Sequence, residues 1–245
     1  MKASNNTIFI TGGTSGIGLA FAEAFLAKGN KVIICGRRED RLKEIKVKHP
    51  GIIIKQCDIA DEKQRIALAE WVIVNHYEVN IVINNAGIQL TANLTQPVNI
   101  TRIRQELEIN FIAPLHLASL FTPHLSGRND AAIINITSGL AFVPLAFMPV
   151  YCATKAAMHS LTLSLRHQLK GTSIKVFEIA PPSMDTELGH DRREDKTQTH
   201  GGIHVDEFMA EAMQALEDDL LEAPIGQAKG LRAKREEAFE RMNAH

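Results

Sequence analysis

Short, nearly continuous apolar runs alternate along this chain with longer stretches in which apolar positions recur every three or four residues. The runs at 7–11, 31–35, 51–56, 81–84, 132–136 and 174–179 are rich in Ile and Val and lack the apolar/polar alternation of a half-exposed strand, so they predict strands buried on both faces. Between them, 16–28, 38–47, 63–76, 103–120 and 151–169 carry the helical period. Strands and helices taking turns in this way predict right-handed crossover units and one doubly wound parallel α/β sheet with helices on both faces.

After residue 179 the texture changes. Pro181 and Pro182 interrupt any regular element, and 187–202 is charged, polar and glycine-bearing. Two amphipathic stretches follow, 205–221 and 231–242. Only about forty residues lie beyond the polar stretch, too few for an independent core. The chain is therefore expected to be a single domain over 1–245, with 187–221 as a helical lid on the substrate side and 222–245 as a C-terminal appendage.

The 245 residues have an ordinary globular balance, 45% hydrophobic and 22% charged. A chain of this mass should fold to roughly 11,000 Å² of surface from roughly 39,000 Å² unfolded, enough burial to need no staples. The net charge of −1 argues against a nucleic-acid partner held by bulk positive charge. Three cysteines, Cys35, Cys57 and Cys152, form no CxxC pair and fit a reducing cytoplasm. No apolar run approaches the ~20 residues of a membrane span, and the N-terminal stretch is too short for a secretory signal.

The first strand runs into Thr11-Gly12-Gly13-Thr14-Ser15-Gly16-Ile17-Gly18 and then a helix. Such a turn lets backbone approach a pyrophosphate at a helix N-terminus: Gly12 for the tight turn, Gly16 for close approach, Gly18 for helix–strand packing, with Thr14, Ser15 and Ile17 alongside. At the end of the second strand, where an acid would bind ribose hydroxyls, stand Gly36, Arg37 and Arg38. Arginine there accommodates a 2′-phosphate, so NADP(H) is expected over NAD(H), with Arg37 favoured over Arg38. Asp58, followed by Ile59, ends the third strand; it either accepts from an adenine amine or caps the helix beginning near Asp61.

Taken together, Thr11-Gly12 through Gly18, Asn84-Asn85-Ala86-Gly87, Asn110, Ser138 and Tyr151-Cys152-Ala153-Thr154-Lys155, in this order, resemble the short-chain dehydrogenase/reductase family. The resemblance covers 7 to about 186. The stretches 137–142 and 151–157 are further similar to the DltE-like branch, oxidoreductases associated with bacterial D-alanylation loci. The resemblance implies a Rossmann-type NAD(P)-dependent enzyme interconverting a carbonyl and an alcohol, with Ser138, Tyr151 and Lys155 as catalytic residues. It also assigns Asn110 a water in a proton relay to Lys155, the stretch Asn84, Asn85, Ala86 and Gly87 the turn beneath the adenosine ribose, and Thr186 the nicotinamide amide. Tyr151 and Lys155 belong to the cofactor site as well. The family's Pro-Gly after the sixth strand is Pro181-Pro182 here, and Pro182 lacks both a donor and glycine's freedom, so that loop is expected to take its own path.

The physical reading runs alongside. Tyr151 and Lys155 are one helical turn apart and share a face; a nearby cation stabilises the phenolate of a group whose unperturbed pKa is ~10. Ser138 follows the fifth strand at the carboxyl edge, where α/β sheets hold ligands. The resemblance makes the uncharged segment 139–150 a wall of the substrate pocket, which implies that Leu140, Phe142 and Val143 meet a small-molecule substrate with apolar surface. The resemblance implies that the helices at 103–120 and 151–169 pair between copies, and Leu115, Leu117, Leu161, Leu163 and Leu165 exceed what one buried stripe needs, so at least a homodimer is expected. His200 and His204 flank Gly201-Gly202, so no metal site is expected, and Cys152 reads as a packing residue. A second reading is a catalytically silent NADP(H)-binding regulatory protein of the same fold.

Overall fold

The computed structural model describes residues 1–184, 186–188 and 202–244. The described residues form one seven-stranded sheet in the order β3-β2-β1-β4-β5-β6-β7, every pairing parallel. The strands are β1 Thr7–Thr11, β2 Lys31–Gly36, β3 Ile53–Gln56, β4 Ile81–Asn84, β5 Ala132–Ile136, β6 Lys175–Ala180 and β7 Glu222–Pro224. Six of them coincide with the apolar runs; β1, β4 and β5 are buried at every position.

Helices cover both faces. On one side α1 (Gly16–Ala27), α2 (Glu39–Lys48) and α7 (Val205–Glu217) deliver Phe21, Phe25, Leu42 and Phe208 to Ile8, Ile10 and Ile34. On the other, α3 (Glu62–Asn75) and α5 (Ala113–Leu125) deliver Leu68, Val72, Leu117 and Phe121 to Phe9, Ile33 and Val82. Phe9 and Phe121 meet with ring centroids 5.4 Å apart. The long helix α6 (Pro149–Gln168) starts with a proline in its first turn, a position that needs no donor.

Three expectations change. The amphipathic stretch after residue 205 is no part of a lid: α7 packs into the core with Phe208 fully buried. Glu222–Pro224 is not an appendage but the edge strand of the main sheet; its three residues pair with Glu178, Ile179 and Ala180. The segment expected as one helix over 103–120 is α4 (Ile100–Leu107), a π-helical turn at Glu108–Ile112, and α5. Residues 189–201, the polar heart of the expected lid, lie outside the described residues. Beyond β7 come α8 (Ala228–Lys234), a 3₁₀ turn and α9 (Phe239–Met242). Among the described residues no helix is long and apolar enough to cross a membrane.

Candidate active site

The strand order reverses between β1 and β4, so crossover connections leave this point in opposite directions and open a crevice at the carboxyl edge. A cavity of about 820 Å³ occupies it.

One end is the glycine turn. Gly12 and Gly16 have φ of +67° and +52°, backbone that side chains rarely adopt. A Cβ on Gly12 would lie 2.8 Å from the Ala86 backbone, and one on Gly18 2.3 Å from Asn85 Nδ2. Gly18 thus packs beneath the turn, while Gly12 and Gly16 face the cavity with Thr14, Ser15 and Ile17. Asn85 clamps the turn from below: its Nδ2 donates to the Thr11 and Gly12 carbonyls at 3.0 and 3.2 Å. Thr11 Oγ1 accepts the Asn85 and Ala86 N–H groups. The N-cap Ser15 makes no side-chain capping bond to the first turn of α1. Backbone donors at a helix start, a cradle that a Cβ would fill and space beyond it fit a dinucleotide pyrophosphate.

Both Arg37 and Arg38 line the rim. Arg38 lies against the turn, 3.4 Å from Thr14 Oγ1 and 3.2 Å from Ser15 Oγ, and pairs with Glu187 at 2.9 Å. Arg41 approaches the same carboxylate at 3.7 Å, and these cations hold Glu187 below the ordinary carboxylate range against its partial burial. Asp58 and Ile59 also line the cavity. Asp58 Oδ1 accepts the Ala60 N–H at 3.0 Å, and Asp61 caps α3, so the helix cap falls to Asp61.

At the other end Ser138, Tyr151 and Lys155 face the same space, with Asn85, Ala86, Gly87 and Pro181 between. Ser138 Oγ accepts the Leu140 N–H at 3.1 Å, fixing the hydroxyl at the edge of the sheet. Lys155 is buried; its Nζ donates to the Ile136 carbonyl at 2.9 Å and lies 5.7 Å from the centre of the Tyr151 ring. Burial pulls Lys155 down from 10.5 to about 8, opposed by the negative charge of Glu178. Asn110 sits in the π turn and does not line the cavity. Its Oδ1 accepts the Ile88 N–H and its Nδ2 donates to the Ile88 carbonyl, both at 2.8 Å, with a further bond to Thr154 Oγ1. It therefore pins the irregular segment after Gly87 to α6. Thr186 stands over Gly16, its Cβ 3.3 Å from where a Cβ on that glycine would be.

Leu140 lines the cavity, but Phe142 and Val143 do not. Both pack with Ala180 and Ala238 beneath α8 and α9, because the 3₁₀ turn at Gly139–Ala141 turns the chain away from the crevice. The apolar wall comes instead from Leu90, Leu145, Phe147, Met148, Leu231 and Met242. Leu145 to Met148 belong to the uncharged segment 139–150. The C-terminal pair carries no local signal that it returns to the site. Among the leucines expected at a dimer face, Leu117 is fully buried in the core, whereas Leu115 and Leu163 are exposed. Cys152 is buried and its thiol is raised by burial, which keeps it protonated. Its Sγ accepts the Leu145 N–H at 3.3 Å. His204 caps α7; His200 lies outside the described residues.

Residues 6–197 match the short chain dehydrogenase family. The chain belongs to that family. It is 47% identical to the uncharacterized oxidoreductase DltE of Bacillus subtilis, over 99% of this chain and 98% of that protein. It is 32% identical over 71% of both chains to the NADP-dependent 3-hydroxy acid dehydrogenase YdfG of Escherichia coli K12. Among solved structures, a short-chain dehydrogenase from Burkholderia cenocepacia in complex with NADP superposes with a TM-score of 0.82 at 25% identity, covering 96% of this chain and 94% of that one. A family member from Burkholderia phymatum in complex with NAD shares the fold, TM-score 0.86 at 21% identity, over 99% and 97%. This short-chain dehydrogenase is thus an oxidoreductase with a Rossmann-type sheet, of the DltE-like branch.

Proposed function

We propose that this short-chain dehydrogenase interconverts a carbonyl and an alcohol with NADP(H), using Tyr151 as general acid and base. The observation that carries the proposal is the convergence of Ser138, Tyr151 and Lys155 on the same cavity as the glycine turn. A bound nicotinamide dinucleotide supplies or accepts the hydride. Tyr151 gives its phenolic proton to the carbonyl oxygen during reduction and takes a proton from the alcohol in the reverse direction. Ser138 Oγ, at the edge of the sheet, orients that oxygen and shares its developing charge. The Lys155 ammonium favours the phenolate. Asn110 has a supporting role, holding Ile88 and Thr154 beside the lysine, where the resemblance places the relay to solvent.

Arg37 on the cavity rim and Arg38 beside Thr14 and Ser15 support a 2′-phosphate and hence NADP(H) over NAD(H). NADP is the cofactor in the name of the YdfG relative and in the Burkholderia cenocepacia complex. The apolar wall from Leu140 and Leu145 to Met242 supports a small-molecule substrate with a substantial apolar body. Exposed Leu115 and Leu163 on α5 and α6 support a homodimer, and three buried thiols without a disulfide support a cytoplasmic setting.

The test is Tyr151→Phe, assayed by NADPH oxidation against carbonyls of graded size and by NADPH binding. Turnover should fall at least 10²-fold with binding intact. Full activity in the variant would refute the mechanism, and binding without turnover on any carbonyl or alcohol in the native protein would favour a regulatory role.

A further inference from the structure

Behind the candidate catalytic residues lies a second group of charges that this reaction scheme does not use. Glu178, in the middle of β6, is fully buried. Its Oε1 accepts from Thr137 Oγ1 at 2.8 Å and its Oε2 pairs with His159 Nδ1 at 2.8 Å. A lone buried carboxylate costs several kcal/mol, so an ionised one needs partners and a nearby counter-charge. Thr137 and His159 supply the hydrogen bonds. The cation that can serve as counter-charge, Lys155, is one helical turn from His159 on α6.

Thr137 lies between Ile136, whose carbonyl receives Lys155 Nζ, and Ser138, which lines the cavity. His159 follows Lys155 by four residues on α6 and therefore lies on the same helix face. Each hydrogen-bond partner of Glu178 is thus adjacent, along the strand or along the helix, to a residue that holds or forms the catalytic set. We infer that Glu178 is a positioning residue which, through Thr137 and His159, serves as the buried counter-charge of Lys155 and keeps that side chain an ammonium. The inference deepens the Tyr151 mechanism above and rests on it.

The charged surroundings are consistent with this pairing. Around Glu178 stand Lys155, His159 and Arg166 of α6, Glu222 of β7 and Arg232 of α8; Glu106 of α4 accepts the Leu90 N–H at 2.9 Å instead. Glu222 is matched by Arg232, which also stacks over Phe142 at 5.3 Å. Phe142 meets the His159 ring edge-on at 5.1 Å. A nitrogen of His159 and oxygens of Glu178 and Glu222 lie within 4.8 Å of one another, which sets the outer Glu222–Arg232 pair beside the inner carboxylate. Lys155 is the cation at the inner end of this row. The negative charge of Glu178 is also what opposes the downward pull of burial on Lys155.

Glu178→Gln tests the inference, because the amide keeps the size of the side chain and an oxygen for Thr137 but removes the charge. Two readouts are needed, the titration of ¹⁵N-labelled lysine side chains in the protein without substrate, and the pH profile of kcat. The Lys155 resonance should titrate about one pH unit lower, and the alkaline limb of kcat should move down with it, giving a several-fold loss at pH 8. NADPH affinity should be unchanged. Glu178→Asp, which restores the charge, should recover most of the titration. If Glu178→Gln unfolds the sheet, Thr137→Val and His159→Gln report on the same titration by removing one hydrogen bond each; both should lower it. An unchanged Lys155 titration in folded variants would overturn the inference. If instead Lys155 titrates as expected but Tyr151→Phe keeps its activity, the counter-charge stands and the Tyr151 mechanism fails.

Discussion

Replacing Lys155 by methionine should stabilise this short-chain dehydrogenase at neutral pH while abolishing its turnover. The lysine is pulled from 10.5 to about 8 by burial, so keeping it charged in the folded state costs roughly 3 kcal/mol. Methionine has similar length and no charge to desolvate. The substitution also removes the hydrogen bond to the Ile136 carbonyl, which contributes about 1 kcal/mol net. The balance leaves the variant roughly 1–2 kcal/mol more stable, a rise of about 2–4 °C in Tm for a chain of this length. The sign of the pH dependence follows from proton counting. Below about pH 8 the lysine is protonated both folded and unfolded, and the full cost is present. Between about 8 and 10.5 the unfolded chain binds more protons than the folded one, so the stability of the native protein rises with pH and the advantage of the Lys155→Met variant shrinks. Thermal unfolding of both proteins from pH 6.5 to 10, followed by circular dichroism, measures the gap directly. A variant less stable than the native protein at pH 7, or a gap that does not narrow above pH 8, would refute the reasoning.

Other perturbations probe the remainder of the site. Arg38→Ala should weaken NADPH binding at least tenfold and NADH binding hardly at all, measured by nicotinamide fluorescence; equal losses would rule out a 2′-phosphate contact. Glu187→Gln should act in the opposite direction, tightening NADPH by about two- to fivefold, since a half-exposed ion pair to Arg38 is worth up to about 1 kcal/mol and a phosphate has to displace it. Gly18→Ala forces a methyl to 2.3 Å from Asn85 Nδ2 and 2.4 Å from the Gly12 carbonyl, and should cost about 1–3 kcal/mol in chemical denaturation together with most of the cofactor affinity. Leu115→Glu with Leu163→Glu should yield a monomer in sedimentation if these exposed leucines meet across a two-fold axis; an unchanged mass would exclude this face.

The sheet was legible because β1, β4 and β5 are buried at every position and β2 and β6 at all but their ends, and such strands leave uninterrupted apolar runs; β3, half-exposed, still carries Ile53 and Ile54. The glycine turn and the Tyr151–Lys155 spacing were equally plain, since each is a local pattern whose chemistry depends on few neighbours. The seventh strand was not. Glu-Ala-Pro at 222–224 has one buried residue and ends in proline, which an edge tolerates and a central strand does not. The substrate wall was half visible: an uncharged loop points to the crevice as a whole, but the 3₁₀ turn after Ser138 decides which of its side chains enter, and it sent Phe142 and Val143 inward. Leu231 and Met242 reach the cavity through tertiary packing alone. One signal in plain view was Glu178, a carboxylate in the middle of the buried run Lys175–Ala180. A charge there needs partners, and that requirement points to the site before any coordinates do.

The π turn at Glu108–Ile112 sets the phase of everything N-terminal to it. An added residue advances a helix by about 100°, so α4 and α5, which run on through this turn without a break, present different faces to the same partner. Glu106 and Asn110 turn toward the segment 88–90, while Ile109, Ala113 and Leu117 turn toward the sheet. Chain length here is therefore quantised. The exposed stretch 93–99 before α4 can absorb an insertion as slack. Losing a single residue between 108 and 112 would leave a perfectly good α-helix that no longer meshes, with either the cavity wall or the core rotated out of register. A site can thus be lost with every catalytic side chain present and every helix intact.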